Sequence, residues 1–108
     1  MARKTTKKIH IRAVIFKEGE WWVGQCLEHD IAAQAKTPKD LAYQIQRSIV
    51  GHLIVSKQEG RIPFKSIPKA PNKYWKLFDN SLQLSPENFD FKLSPGVKAP
   101  TPELYLVA

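Results

Sequence analysis

Along residues 9–16, Ile9, Ile11, Ala13 and Ile15 share one parity, while His10 and Arg12 give way to Val14 and Phe16 on the other. Period-two alternation marks a strand with one buried face. Apolar residues on both parities mark a second face that becomes covered. Lys17-Glu18-Gly19-Glu20 is a short polar link containing glycine and predicts a hairpin turn. Residues 21–27, aromatic and β-branched at the start, read as a second strand. Glu28-His29-Asp30 breaks the apolar pattern, and residues 31–35 resume it as a third strand of small residues. Links this short favour an antiparallel meander.

The period then changes. Thr37-Pro38-Lys39-Asp40 is a helix start: threonine caps, proline at the first helical position gives up no needed N–H, and Asp40 lies near the positive helix end. Leu41, Ile45, Ile49 and Leu53 recur at the spacing of an amphipathic helix of roughly 20 residues, stopped by Gly60. Its apolar stripe fits the face that the three strands provide. After Gly60 come Pro63, Pro68, Pro71, Pro86, Pro95, Pro100 and Pro102, which disfavour long regular elements. One short helix fits within residues 72–82, where Tyr74, Trp75, Leu77, Phe78 and Leu82 share a face. Ile62-Pro63-Phe64 suits an edge strand. Residues 89–93 and 104–107 suit further short strands or extended arms. The expected class is therefore α+β: a β-β-β-α domain over 1–63, with a Pro- and aromatic-rich extension over 64–108 packed on it or on a second subunit.

With 108 residues, of which 43% are hydrophobic and 25% charged, the chain has the composition of a single ordinary globular domain. No apolar run approaches a membrane span, and the basic start lacks the apolar stretch of a signal peptide, so a cytoplasmic protein without a membrane partner is expected. The single cysteine, Cys26, excludes an intrachain disulfide framework. The net charge of +7 is uneven. Arg3, Lys4, Lys7, Lys8 and Arg12 stand without an acid in residues 1–12, and Lys57, Arg61, Lys65, Lys69, Lys73 and Lys76 face only Glu59 in residues 57–76. Clusters of this kind attract nucleic acid or acidic protein surfaces, or simply keep a chain in solution.

The run Trp22-Val23-Gly24-Gln25-Cys26-Leu27-Glu28-His29-Asp30-Ile31-Ala32-Ala33-Gln34-Ala35-Lys36-Thr37-Pro38-Lys39-Asp40-Leu41 resembles the HicB-type antitoxin family. The shared features are a hairpin strand ending near a short polar loop, a small-residue strand, and a Thr-led helix start with an acid in its first turn. The resemblance covers residues 9–63. It implies a truncated ribonuclease-H-like fold, with a three- or four-stranded sheet and one long helix against it. It also implies self-association as a dimer or larger, and neutralisation of a small mRNA-cleaving toxin. Many members carry a C-terminal DNA-binding module. Here one short helix among prolines builds neither a helix-turn-helix nor a ribbon-helix-helix, so operator binding is not expected. A basic toxin would need a local acidic contact, for which Glu28 and Asp30 are the candidates, with Trp21 and Trp22 beside them as partner-binding residues.

Catalytic readings are weaker than this binding one. Two-metal phosphodiester cleavage needs several converging carboxylates, and Glu28, Asp30 and Asp40 offer too few. Cys26, His29 and a carboxylate are legitimate zinc ligands, yet a closed site needs His10 and His52 to join them. Cys26 with His29 as nucleophile and base needs a contact of about 3 Å that strand spacing does not supply. No enzyme, metal or cofactor is expected. Tryptophans interleaved with lysines can form a base-stacking platform; burial is the simpler use of such rings. The leading expectation is a non-enzymatic protein-interaction domain. The alternative is a nucleic-acid-binding module using Arg3, Lys4, Lys7, Lys8, Lys65, Lys69, Lys73 and Lys76.

Overall fold

The computed structural model describes residues 10–85 and 101–107. The chain forms β1 (Arg12–Glu18), β2 (Trp21–Cys26), β3 (Ala32–Ala35), α1 (Pro38–Gln58), α2 (Asn72–Phe78), β4 (Ser81–Gln83) and β5 (Glu103–Val107). The five strands make one mixed sheet in the order β3-β2-β1-β5-β4. The antiparallel meander β1-β2-β3 is as expected from the alternation. Glu18 pairs with Trp21 across the tight turn, where Gly19 supplies the positive φ of 63° that a two-residue hairpin demands. Beyond β1 lies β5, parallel to it with Arg12 beside Glu103, and β4 closes the far side antiparallel to β5.

Local chemistry sets both ends of α1. Thr37 Oγ1 accepts the Asp40 N–H at 3.1 Å, and Pro38 occupies the first turn. At the other end Gly60, at φ 68°, lets its N–H reach Lys57 O at 3.2 Å while the Arg61 N–H reaches Ser56 O at 2.8 Å. That pair of bonds is the glycine-dependent Schellman closure. Leu41, Ala42, Ile45 and Ile49 bury themselves against Ile11, Ala13, Ile15, Cys26, Ala35 and Leu104. Each large aliphatic side chain so buried contributes about 1.5–3 kcal/mol. Helix and sheet approach closely at Gly24, where a Cβ would lie 2.5 Å from Ile45 Cδ1.

The opposite sheet face carries a second, smaller core. Val14, Leu27 and Ala70 are buried there, with Phe16, Tyr74, Trp75, Phe78, Tyr105 and Val107 packed around them. Thus α2, within the span expected to hold one short helix, covers the β1–β5 half of this face. The expected edge strand at Ile62-Pro63-Phe64 does not form. Residues 63–66 are turn, and Phe64 has a φ of 65°, outside the strand region. Its backbone N–H bonds His52 Nε2 at 2.9 Å, so a contact with the helix replaces a sheet ladder. Residues 104–107 do form a strand, within the sheet beside β1. The strand expected over 89–93 lies outside the described residues.

Candidate interaction surface

Strand parity places side chains on the two faces. From β2, Trp22, Gly24 and Cys26 turn toward α1, while Trp21, Val23 and Gln25 turn toward the α2 side. There α2 stops short, leaving the β2–β3 half open: Ala32 and Gln34 are exposed, and Trp21 keeps 40% of its surface accessible. Lys36, just beyond β3, is opposite Trp21 when the Trp22–Ala35 register is continued by one step. Its Nζ lies 4.2 Å from the Trp21 ring centroid, a cation–π contact at an exposed site. Trp22 is partly buried on the helix side, with Lys17 Nζ 5.9 Å from its ring. The adjacent tryptophans therefore serve different faces.

Glu28 and Asp30 are not joined to this aromatic end. They follow β2 at its opposite end. Glu28 accepts the Arg12 backbone N–H at 2.7 Å and Arg12 Nε at 2.5 Å. The same guanidinium lies over Trp75 and Phe78, at 5.2 and 4.9 Å. Glu28 thus helps hold α2 against the sheet. Asp30 is exposed; its Oδ1 accepts Gln25 Nε2 at 2.7 Å, and its N–H bonds Pro68 O. Nearby, Tyr105 Oη donates to Glu103 Oε1 at 2.8 Å, and His10 Nε2 lies 2.7 Å from Glu103 Oε2. Burial pushes the Glu103 carboxyl upward, but these bonds and the charges of His10 and Arg12 leave it below its ordinary value.

A second cluster closes the end of the core. The Phe64 ring is stacked between two imidazoles, 4.6 Å from His29 and 4.8 Å from His52 by centroid. His52 Nε2, which accepts the Phe64 N–H, also lies 3.3 Å from Ser56 Oγ. Burial pulls the His29 pKa below its usual value, against the Ile67 backbone bond and Glu28, which raise it. Its Nδ1 is buried without a hydrogen-bond partner. Cys26 is wholly buried, and its thiol is pushed up to about 12 by burial first and the Glu28 charge second. A thiol so placed is no nucleophile at neutral pH. Among the described residues, no group of three His, Cys, Asp or Glu side chains is placed to hold a metal ion.

Lys65, Lys69, Lys73 and Lys76 are exposed along the α1–α2 connection and α2, with Lys73 Nζ 5.0 Å from the Tyr74 ring. Arg3, Lys4, Lys7 and Lys8 lie outside the described residues. Among the described residues no helix is long and apolar enough to cross a membrane. Sequence reasoning missed Lys36 and Phe64. The first was readable from the register, because 21 and 36 face each other once 22 and 35 are paired. The second depends on a tertiary contact with His52 and has no local signal. No family model, curated protein or solved structure matches this chain.

Proposed function

We propose that this chain is a non-enzymatic protein-interaction domain of the antitoxin-like kind, which binds a small partner protein on the open half of its sheet. The observation that carries the reading is that half: β3, which among the described residues is an edge strand with no neighbour on its outer side, beside an accessible Trp21 that lies under Lys36. Exposed aromatic rings at the centre of a patch, with backbone groups free at its rim, are features of polypeptide recognition. The meander with one long helix against it supports the truncated ribonuclease-H-like reading, and the likeness of residues 22–41 to HicB-type antitoxins supplies the class of partner. Glu28 is engaged by Arg12, and Asp30 follows β2 at the end opposite Trp21, so the contact at Trp21 is apolar and backbone-mediated rather than acidic.

The test is purification of the tagged chain from its own host, beside the variant Trp21→Ala. A stoichiometric small protein retained by the wild type and lost from the variant supports the reading. A bare wild-type chain, or equal capture by both, overturns it. A second reading rests on Lys65, Lys69, Lys73 and Lys76, all exposed: a nucleic-acid-binding module, whose affinity falls steeply with salt as counterions are released. Binding unchanged between low and physiological salt would exclude it.

A further inference from the structure

Residues 61–70 form a strap running from the end of α1 toward α2, and backbone bonds fasten it at both ends. At one end the Arg61 N–H donates to Ser56 O at 2.8 Å. At the other, Pro68 O accepts the Asp30 N–H at 2.7 Å, and the Ala70 N–H donates to Leu27 O at 2.9 Å. Between these anchors two histidines hold the strap. The Phe64 N–H donates to His52 Nε2, and His29 bonds the Ile67 backbone, with the Phe64 ring stacked between the two imidazoles. Phe64 is kept at a φ of 65°, a backbone conformation that a bulky side chain holds only while its surroundings impose it.

The two imidazoles answer a proton differently. A backbone N–H can only donate, so the bond from Phe64 requires the lone pair on His52 Nε2 and leaves the ring proton on Nδ1. An imidazolium donates from both nitrogens and has no lone pair left for Phe64. A second partner is within reach of the same atom. Ser56 Oγ, one turn along the helix and buried, lies 3.3 Å from His52 Nε2. A hydroxyl both donates and accepts, so it becomes the acceptor once Nε2 carries a proton. His29 has no such exchange to make. Burial opposes its charge first, as does a charge on His52, while its Ile67 bond and Glu28 favour it.

We propose that His52 is a proton-operated latch on this strap: on protonation Nε2 exchanges the Phe64 N–H for Ser56 Oγ, and residues 62–67 lift from the end of the core while Arg61 and Pro68 stay fastened. One proton is gained, the Phe64 N–H···Nε2 bond breaks, and an Nε2–H···Oγ bond forms within α1. The closed strap would then hold a buried donor without an acceptor and a left-handed phenylalanine, and turning out to water relieves both. His52 is only partly buried, so the proton reaches it from solvent. The charged groups around it belong to three segments. The end of α1 carries Lys57 and Glu59, the latter paired with Arg61. The strap carries Arg61 and Lys65, both exposed. The β2–β3 connection carries His29, Glu28 engaged by Arg12, and Asp30 bonded to Gln25. Each of these acids already has a partner, so Ser56 is the group left to receive the Nε2 proton.

The test is amide hydrogen exchange read by NMR on the full chain, from about pH 8 down to about pH 5, the range in which histidine changes charge. Rates are corrected for the intrinsic pH dependence of amide exchange. The opening equilibrium at Phe64 is expected to rise about tenfold on acidification, while Ala33 and Ala35 in β3 keep their protection. His52→Gln offers an acceptor in place of Nε2 and does not titrate, so it should hold Phe64 closed across the range. Ser56→Ala removes the alternative acceptor and should weaken proton binding about threefold, moving the opening midpoint about half a pH unit lower. Because Ser56→Ala leaves both histidines in place, it decides the matter even if His52→Gln fails to fold. Phe64 exchange that ignores pH, opening that persists in His52→Gln, a midpoint unmoved by Ser56→Ala, or protection lost at Phe64 and β3 together overturns the latch.

Discussion

Replacing Gly24 with alanine tests whether helix α1 sits as close to the sheet as the core requires. The new Cβ would stand 2.5 Å from Ile45 Cδ1, 3.1 Å from Ile45 Cγ1 and 3.4 Å from Leu41 Cδ1. Ile45 Cδ1 is the end of a side chain, yet Leu41 occupies the neighbouring space and both residues are fully buried. Forcing a methyl into such a site costs about 1–3 kcal/mol. Alanine recovers roughly 0.4–1 kcal/mol by restricting the unfolded chain. The net expectation is a loss of about 1–2 kcal/mol, read in thermal unfolding as a Tm about 5–10 °C lower for a domain of this size. A second substitution at Ile45 serves as the control. Ile45→Val alone removes the Cδ1 methyl and costs about 0.5–1.5 kcal/mol. In the Gly24→Ala background the same change relieves the clash, so the two substitutions couple favourably by about 1 kcal/mol. A neutral or stabilising Gly24→Ala, or strict additivity in the double variant, refutes the reasoning.

Three further outcomes are expected. Phe64→Ala empties the space between His29 and His52 and should cost about 3–4 kcal/mol in urea unfolding, the range for a buried aromatic truncated to alanine; a loss below about 1 kcal/mol contradicts the plug. Because burial holds His29 below its ordinary 6.5, the folded state binds fewer protons than the unfolded one. Its contribution is therefore complete above the unfolded value and is lost as the pH falls from there toward the depressed folded value. The Tm of the wild type should drop more steeply on acidification than that of His29→Gln, and parallel curves would contradict this. Cys26, buried and with its thiol pushed up to about 12, should resist a disulfide reagent in the native protein and react at once in denaturant; rapid native labelling would place it elsewhere.

What the sequence disclosed follows the range of the forces involved. Both ends of α1 were legible because Thr37, Pro38, Asp40 and Gly60 act on backbone groups within one turn of themselves. The first three strands were legible because their alternation and short links confine the pairing. The position of β5 was not. Its residues read as a strand, but the pairing of Arg12 with Glu103 joins segments at opposite ends of the chain, and alternation does not name a neighbour. Glu28 looked like a surface acid, since nothing local announces that Arg12 reaches it across the sheet. Phe64 looked like strand, because neither its left-handed backbone nor its bond to His52 is a property of Ile62-Pro63-Phe64. Trp21 was identified as a partner-binding candidate. Its separation from Glu28 and Asp30, and its pairing with Lys36, became visible only with the register in place.

Amide hydrogen exchange along β3 tests the interaction surface most directly. The Ala33 and Ala35 N–H groups bond β2 and should be protected in every state of the folded chain. Those of Ala32 and Gln34 point away from the sheet and become protected only when another strand docks. Protection at these two amides is expected to rise when a partner is bound. Open-edge exchange at both positions under every condition, with Ala33 and Ala35 still protected, would contradict it.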